Sequence, residues 1–141
     1  MRFDFYMNVY AEDVDFGSIV YHANYLRYAE RSRSQFLATK GFSLRQCADQ
    51  FIYFVVRKAD MEFIKPAFLS DTLIVGCEIK KIGRSTLKIN QPIWRLDGED
   101  AQGNEKRELL CTINVLLVHI NQQFKPSSIP EKIVRAIQHD T

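Results

Sequence analysis

The stretch NYLRYAERSRSQFLATKG, residues 24–41, decides the architecture. From Asn24 to Lys40 it holds no proline or glycine, and Tyr25, Leu26, Tyr28, Ala29, Phe36 and Leu37 recur at spacings of three and four, the pattern of a helix with one apolar face. Gly41 stands where a C-terminal cap belongs, since glycine takes the left-handed backbone that closes a helix without steric cost. At about 1.5 Å per residue this helix is about 25 Å long, enough to be the spine of a small domain. It is the only long helical pattern before the C-terminus.

On both sides of it the pattern becomes that of strands. Residues 5–12, rich in aromatic and branched side chains, read as a first strand, and the acidic, glycine-bearing stretch after them as a loop. Four further runs follow the helix: Phe51 to Ile64, Thr72 to Ile82, Ser85 to Leu96 and Arg107 to Ile120. Pro66 closes the first, Gly83-Arg84 makes a short turn between the next two, and Asp97-Gly98 with Gly103-Asn104 brackets a looser loop. Consecutive strands with short turns make an antiparallel sheet, so the fold class is α+β. The last run has apolar residues on both parities, Val115-Leu116-Leu117-Val118, as in a strand covered on both faces. The helix covers one face, and a partner subunit is the economical cover for the other. Pro130, Glu131, Ile133, Val134 and Ile137 mark a short amphipathic C-terminal helix.

Composition narrows the class of function. The 141 residues suit one domain, 1–141, and 46% hydrophobic content supplies one substantial core. A net charge of +2, from 19 basic and 17 acidic side chains that are dispersed, gives no basic surface for nucleic acid. Cys47, Cys77 and Cys111, an odd number with no close pair, support neither a CxxC site nor a disulfide framework, and point to a reducing, cytoplasmic setting. The N-terminus has no long apolar segment, and no run approaches the roughly 18 apolar residues of a membrane span.

Familiar catalytic motifs are absent: GxGxxG, GxxxxGK[ST], GxSxG and HExxH do not occur. Asp13-Val14-Asp15 could open a calcium loop, but its sixth and twelfth positions hold Ser18 and Asn24 in place of Gly and Glu. His22, His119 and His139 lie too far apart to suggest zinc. What remains is Asp15, a few residues before a helix start at His22. The plain reading makes Asp13 and Asp15 turn-capping loop carboxylates and His22 a packing residue. The chemical reading is sharper. A helix N-terminus offers unpaired N–H groups and positive dipole to a carbonyl oxygen becoming an oxyanion, and a nearby carboxylate can attack that carbonyl or activate water. Together they make a minimal acyl-transfer site.

Val9-Tyr-Ala-Glu-Asp-Val-Asp15-Phe-Gly17-Ser-Ile-Val-Tyr21-His22-Ala-Asn24-Tyr25, continuing to Glu30-Arg31-Ser-Arg33, closely resembles the N-terminal signature of hot-dog-fold acyl-CoA thioesterases. The resemblance is to the 4-hydroxybenzoyl-CoA thioesterase family, in its YbgC-like, Tol-Pal-associated branch. Phe54-Val-Val-Arg57-Lys58, Glu62-Phe-Ile-Lys-Pro66-Ala67 and Leu69-Ser-Asp71 look like the same branch and extend the likeness along nearly the whole chain. It implies a hot-dog fold: a long central helix wrapped by a five- to six-stranded antiparallel sheet, with protomers joined edge to edge as dimers that often pair into tetramers. It also implies that Asp15 is the catalytic carboxylate, that the backbone N–H of His22 polarises the thioester carbonyl, and that a second protomer completes each site. Val14 replaces a threonine, and Ser18 a second glycine, common among such relatives.

Other positions carry weaker cases. Gly17, Tyr21, Asn24 and Tyr25 match the signature as substrate-binding candidates, although Asn24 also suits a cap and Tyr25 a core position. The His22 ring, with an ordinary pKa of about 6.5, could carry a proton. Arg57, Lys58 and Arg84, with Lys80 and Lys81, are candidates for the phosphates of coenzyme A, against a plainer role as solvated charges. Glu30, Arg31 and Arg33 suit exposed ion pairs along the helix. The expectation is an acyl-CoA thioesterase needing no metal or organic cofactor, acting on acyl-CoA or on an acyl carrier protein, and homo-oligomeric. Two alternatives are a non-catalytic hot-dog protein binding acyl carrier protein or an envelope complex, and a hydroxyacyl-thioester dehydratase using the His22 ring.

Overall fold

The computed structural model describes residues 2–138, so His139 lies outside the described residues. Five strands form one antiparallel sheet: β1 (Phe3–Asn8), β2 (Tyr53–Phe63), β3 (Thr72–Ile82), β4 (Thr86–Glu99) and β5 (Glu105–Ile120), in the order β1-β3-β4-β5-β2. The helices are α1 (Asn24–Thr39), α2 (Leu44–Asp49) and α3 (Glu131–Gln138).

The central helix, all four strands after it and the C-terminal helix stand where the pattern places them. β1 starts earlier than expected and stops at Asn8, because Val9 leaves the ladder to exchange backbone bonds with Ser70 and Asp71. Strands β4 and β5 extend to Glu99 and Glu105, so the polar loop shrinks to 100–104, closed by Asp100 accepting from the N–H groups of Gln102 and Asn104. The short helix α2 is not expected from apolar periodicity. Its cue is a capping box, with Ser43 Oγ accepting from Gln46 N–H and Gln46 Oε1 accepting from Ser43 N–H.

Helix α1 lies on β1 and β3, and its buried stripe is Tyr25, Tyr28, Ala29 and Ser32. Opposite it, alternate residues of β4 (Leu87, Ile89, Gln91, Ile93) and β5 (Cys111, Ile113, Val115, Leu117) form the floor of the core. Two polar side chains are buried there with their bonds made. Ser32 Oγ donates to Val75 O at 2.8 Å, and Gln91 Nε2 donates to Ala29 O at 2.9 Å, which pins the helix to β3 and β4.

The outer end of β5 finds part of its cover within its own chain. Residues 121–129 turn back, with Ser127 N–H donating to His119 O and Ile129 N–H to Arg84 O, and Val118, His119 and Ile120 are buried. Edge strand β2 is different. Its register with β5 puts Val56, Ala59 and Phe63 on the helix-facing side, opposite Leu117, Val115 and Cys111, yet Val56 and Phe63 are each 50% exposed. From α1, Tyr25 reaches Phe63 edge-on, but it leaves half of that residue open.

Burial also governs the thiols. It pushes Cys77 up to about 12 and Cys111 up to about 11, and raises Cys47. A thiol with a raised pKa stays protonated, and hence unreactive, until pH rises through the shifted value or the fold opens. Native protein is expected to leave Cys77 and Cys111 unlabelled by iodoacetamide at pH 8 over an hour, with both labelled rapidly in 6 M guanidinium. Labelling in the native state that tracks pH between 7 and 9 would contradict this core.

Candidate active site

The loop of residues 9–23 folds back on itself before entering α1. Val14 bridges Val20, Asp15 N–H donates to Ile19 O at 3.0 Å, and Tyr21 N–H donates to Asp13 O at 3.0 Å. The reversal between the limbs needs left-handed backbone at Gly17 (φ 76°) and at Ser18 (φ 60°). That conformation suits glycine and strains serine by about 1–2 kcal/mol, which is the physical reason a second glycine fits position 18.

A second segment, 64–71, backs the hairpin. Val20 N–H donates to Ala67 O, Leu69 N–H to Ser18 O, and Ala67 N–H to the Tyr25 hydroxyl at 3.1 Å. Arg95 holds this segment in turn, donating to Pro66 O at 3.1 Å and Asp71 Oδ2 at 2.9 Å while also pairing with Glu108. The loop, the segment and the helix start thus form one corner. It borders a cleft of about 270 Å³ lined by Ile19, Val20, His22, Tyr25, Phe63 and residues 64–66.

Asp15 sits at the turn of the hairpin, exposed, and its carboxylate makes no hydrogen bond among the described residues. Phe16, beside it, is 97% exposed. His22 lies at the end of the returning limb, and the backbone N–H groups of His22 and Ala23 make no hydrogen bond among the described residues. They are two of the free donors that every helix start presents, at its positive end. The His22 ring packs against Tyr21 with centroids 4.5 Å apart, and both residues are exposed.

Asn24 does not cap α1. Ala23 holds the cap position without a side-chain bond, and Asn24 instead turns inward, its Nδ2 donating to Asp13 O at 2.9 Å. Tyr25 is both core and scaffold: 3% exposed, edge-on to Phe63 with ring centroids 5.4 Å apart, and the acceptor for Ala67 N–H. The hairpin corner therefore gathers Asp15, Gly17, Tyr21, His22, Asn24 and Tyr25. It does not gather the proposed phosphate binders. At about 3.3 Å per residue, Lys58 lies about 17 Å up β2 from Phe63, and Arg84 is at the far end of the sheet, beyond Thr86 opposite Val118. Arg57 and Arg84 are exposed, Lys58 pairs weakly with Asp60 at 3.7 Å, and Lys80 pairs with Glu78. The cation on the cleft itself is Lys65, paired with Glu108.

The residue that anchors the loop is Asp13. It is 7% exposed, its Oδ2 accepts from Tyr10 N–H at 2.9 Å, and its carbonyl accepts from both Tyr21 and Asn24. The hydroxyl of Tyr28 beneath is buried without a hydrogen bond of ordinary geometry. Burial first, and then the Asp13 carboxylate, push that hydroxyl well above the usual tyrosine range. For Asp13 the plain reading, a turn-capping carboxylate, is the right one; Asp15, two residues on, caps nothing. Among the described residues no three His, Cys, Asp or Glu gather as a metal site.

The Thioesterase superfamily model matches residues 17–102, and the chain belongs to that superfamily. Within it, the chain is 34% identical to the acyl-CoA thioester hydrolase YbgC of Escherichia coli O6:H1 over 128 residues, covering 91% of this chain and 90% of that protein. Two solved structures share its hot-dog fold. A probable thioesterase from Bartonella henselae superposes with TM-score 0.80 at 33% identity, covering 92% of this chain and all of that one. A hypothetical protein from Aquifex aeolicus gives TM-score 0.83 at 24% identity over 96% and 98% of the two chains.

If Asp13 anchors the hairpin by hydrogen bonding, Asp13→Ala is expected to destabilise the protein by about 1–3 kcal/mol in urea unfolding. Asp13→Asn, which keeps an acceptor for Tyr10 N–H, should lose less than half as much. Equal losses would show that the charge, and not the bond, holds the loop.

Proposed function

We propose that this protein hydrolyses acyl-CoA thioesters to the free acid and coenzyme A. The observation that carries the reading is the Asp15 carboxylate, exposed and without an internal partner, on a hairpin whose other limb delivers the free His22 N–H at the start of α1. A carboxylate and a backbone donor that have no bonds among the described residues, carried on one hairpin, are the two groups that acyl transfer to water requires. The relatives named thioester hydrolases support the substrate class.

The thioester carbonyl oxygen accepts from the His22 N–H, where the helix dipole favours the growing negative charge. Asp15 then either removes a proton from a water that adds to the carbonyl carbon, or adds to that carbon itself. In the first route the C–O bond forms, the C–S bond breaks, and the departing thiolate takes up the proton Asp15 received. In the second, an acyl–Asp15 anhydride forms as the thiolate leaves, and water cleaves it. Backbone and side chains suffice for either, so no cofactor is invoked. The acyl chain, the choice between coenzyme A and acyl carrier protein, and a role for Arg57, Lys58 or Arg84 across subunits belong to this proposal. So does a cytoplasmic location, which three free, buried cysteines suit.

The reading includes a second protomer. Edge strand β2 leaves one side of its backbone unpaired, and Val56 and Phe63 bare on the helix side. Two copies meeting along β2 would satisfy both, and would add a wall to the cleft that Phe63 borders. Pairs of such dimers would give a tetramer.

Asp15→Asn is expected to lower thiol release from a panel of short, long and aromatic acyl-CoA esters by about a hundredfold or more, with an unchanged unfolding midpoint. Undiminished turnover would remove Asp15 from the mechanism; no release from any ester by the wild type would favour the binding-protein alternative. Val56→Asp, at a half-exposed position, should convert the proposed assembly to monomers in sedimentation velocity and reduce activity with it, with an unchanged unfolding midpoint for the monomer. A wild type that sediments as a monomer and turns over fully would exclude the shared site.

A further inference from the structure

A cavity of about 240 Å³ lies between the second half of α1, helix α2 and the sheet, well away from the cleft at the helix start. Its walls are Phe36, Leu37, Ile52, Phe54, Ile79 and Leu87, and its rim carries Glu30, Ser34 and Leu44, the last 66% exposed. Among these apolar surfaces lies one guanidinium. Arg33 is half-buried, and of its five N–H donors one has a described acceptor, Gln91 Oε1 at 2.9 Å. No carboxylate among the described residues lies within 4 Å of it, whereas Arg95 and Arg107 each hold two.

Sequence spacing favours an exposed ion pair for Arg33; instead it turns into the core face and leaves Glu30, three residues earlier, exposed at the rim. Gln91 is completely buried and fixed by bonds to Ala29 O and Gly76 O, so its oxygen is presented to Arg33 as a built support. Burial pulls the Arg33 guanidinium below its ordinary value without neutralising it. A partly buried cation normally finds a counter-charge, and the carboxylate that attracts Arg33 is the exposed Glu30 at the rim, which does not close to ion-pair distance. Here the open donors border an apolar cavity. The complementary occupant is an anion with an apolar tail.

We propose that Arg33 and this cavity bind a straight-chain monocarboxylate, its head on the free Arg33 donors and its chain among the Phe36, Leu37, Phe54 and Leu87 side chains. A cavity of about 150 Å³ holds the six carbons of benzene, so this one holds a chain of about eight to ten carbons. Carboxylates of this class are what thioester hydrolysis releases. The site therefore rests on the proposed function for its meaning, as a product-sensing site, but not for its existence.

Binding is measured on the whole protein without turnover, by calorimetry with octanoate and, as an uncharged analogue, 1-octanol. The wild type is expected to prefer octanoate. Arg33→Gln should weaken octanoate by about tenfold or more while leaving octanol unchanged, and Glu30→Gln, which removes a competing negative charge at the rim, should tighten octanoate several-fold. Leu44→Trp, at an exposed rim position, should weaken both. Amide and Arg Nε resonances should shift at Arg33 and Gln91. Octanoate affinity unmoved by Arg33→Gln, no binding at millimolar octanoate, or shifts confined to His22 and residues 63–66 would overturn the proposal. Because the readout is binding, an inactive enzyme with an occupied cavity and an active one with an empty cavity give different results.

Discussion

A single helix about 10 Å across cannot cover a sheet of five strands spaced about 4.8 Å apart. This mismatch of widths shapes the rest of the molecule. Helix α1 takes the β1–β3 side, α2 and α3 are added where its second half leaves the core open, and the outer end of β5 is covered by the chain's own return at 121–129. Strand β2 receives less cover, and toward its two ends Val56 and Phe63 stand half-exposed on a face that is elsewhere core. At about 25 cal/mol per Å², each buried aromatic or branched side chain is worth roughly 1.5–3 kcal/mol. A bare strip of this kind is a standing drive toward association.

The same mismatch explains why polar side chains sit deep in this core. A helix resting on one side of the sheet is free to slide or rotate unless directional bonds stop it. Ser32 to Val75, Gln91 to Ala29, and Tyr25 to Ala67 supply such bonds at successive points along α1. Each contributes about 1 kcal/mol of net stability, but each would cost more if broken, because a buried group would be left unsatisfied. Their effect is positional. They fix where α1 begins, and so where the His22 N–H points, while Asp13 fixes the hairpin that carries Asp15.

Most of the architecture was legible because it rests on periodicity. The α1 stripe, the alternation in β3 to β5 and the Pro130-Glu131 start of α3 all follow from which residues must be buried. What escaped was decided by other physics. Helix α2 has too few apolar residues to show a period and is announced only by its Ser43–Gln46 capping box. The extensions of β4 and β5 run through polar residues whose pairing is backbone to backbone. At the site, Asp15 and His22 were legible as an acid beside a helix start, strengthened by a family signature. The turn-capping of Asp13 was legible as the plain reading of a loop carboxylate, but the inward turn of Asn24 and the backing by residues 64–71 were not, since each depends on contacts between segments apart in sequence. Arg57, Lys58 and Arg84 are a different case: their charge type suggested phosphate binding, and within one protomer the fold carries them away from the cleft.

Within the loop, two aspartates two residues apart have opposite fates, and the difference is one of hydrogen bonding. Asp13 spends its carboxylate on Tyr10 N–H and its carbonyl on Tyr21 and Asn24, so it is rigid and chemically committed. Asp15 uses only its backbone: its N–H reaches Ile19 O, its carbonyl accepts from Ser18, and its carboxylate is left in solvent. In bulk water such a carboxylate is a weak base and a poor nucleophile, because hydration stabilises its charge. A wall that excluded water from Asp15 and Phe16 would raise its free energy and strengthen the pull of the helix N-terminus on an oxyanion. The single chain leaves both residues exposed, and the open strip at β2 offers a place for that wall to dock. Under the proposed mechanism, the constraint that leaves the sheet uncovered would also be what makes the carboxylate reactive, and assembly and catalysis would then depend on the same unburied surface.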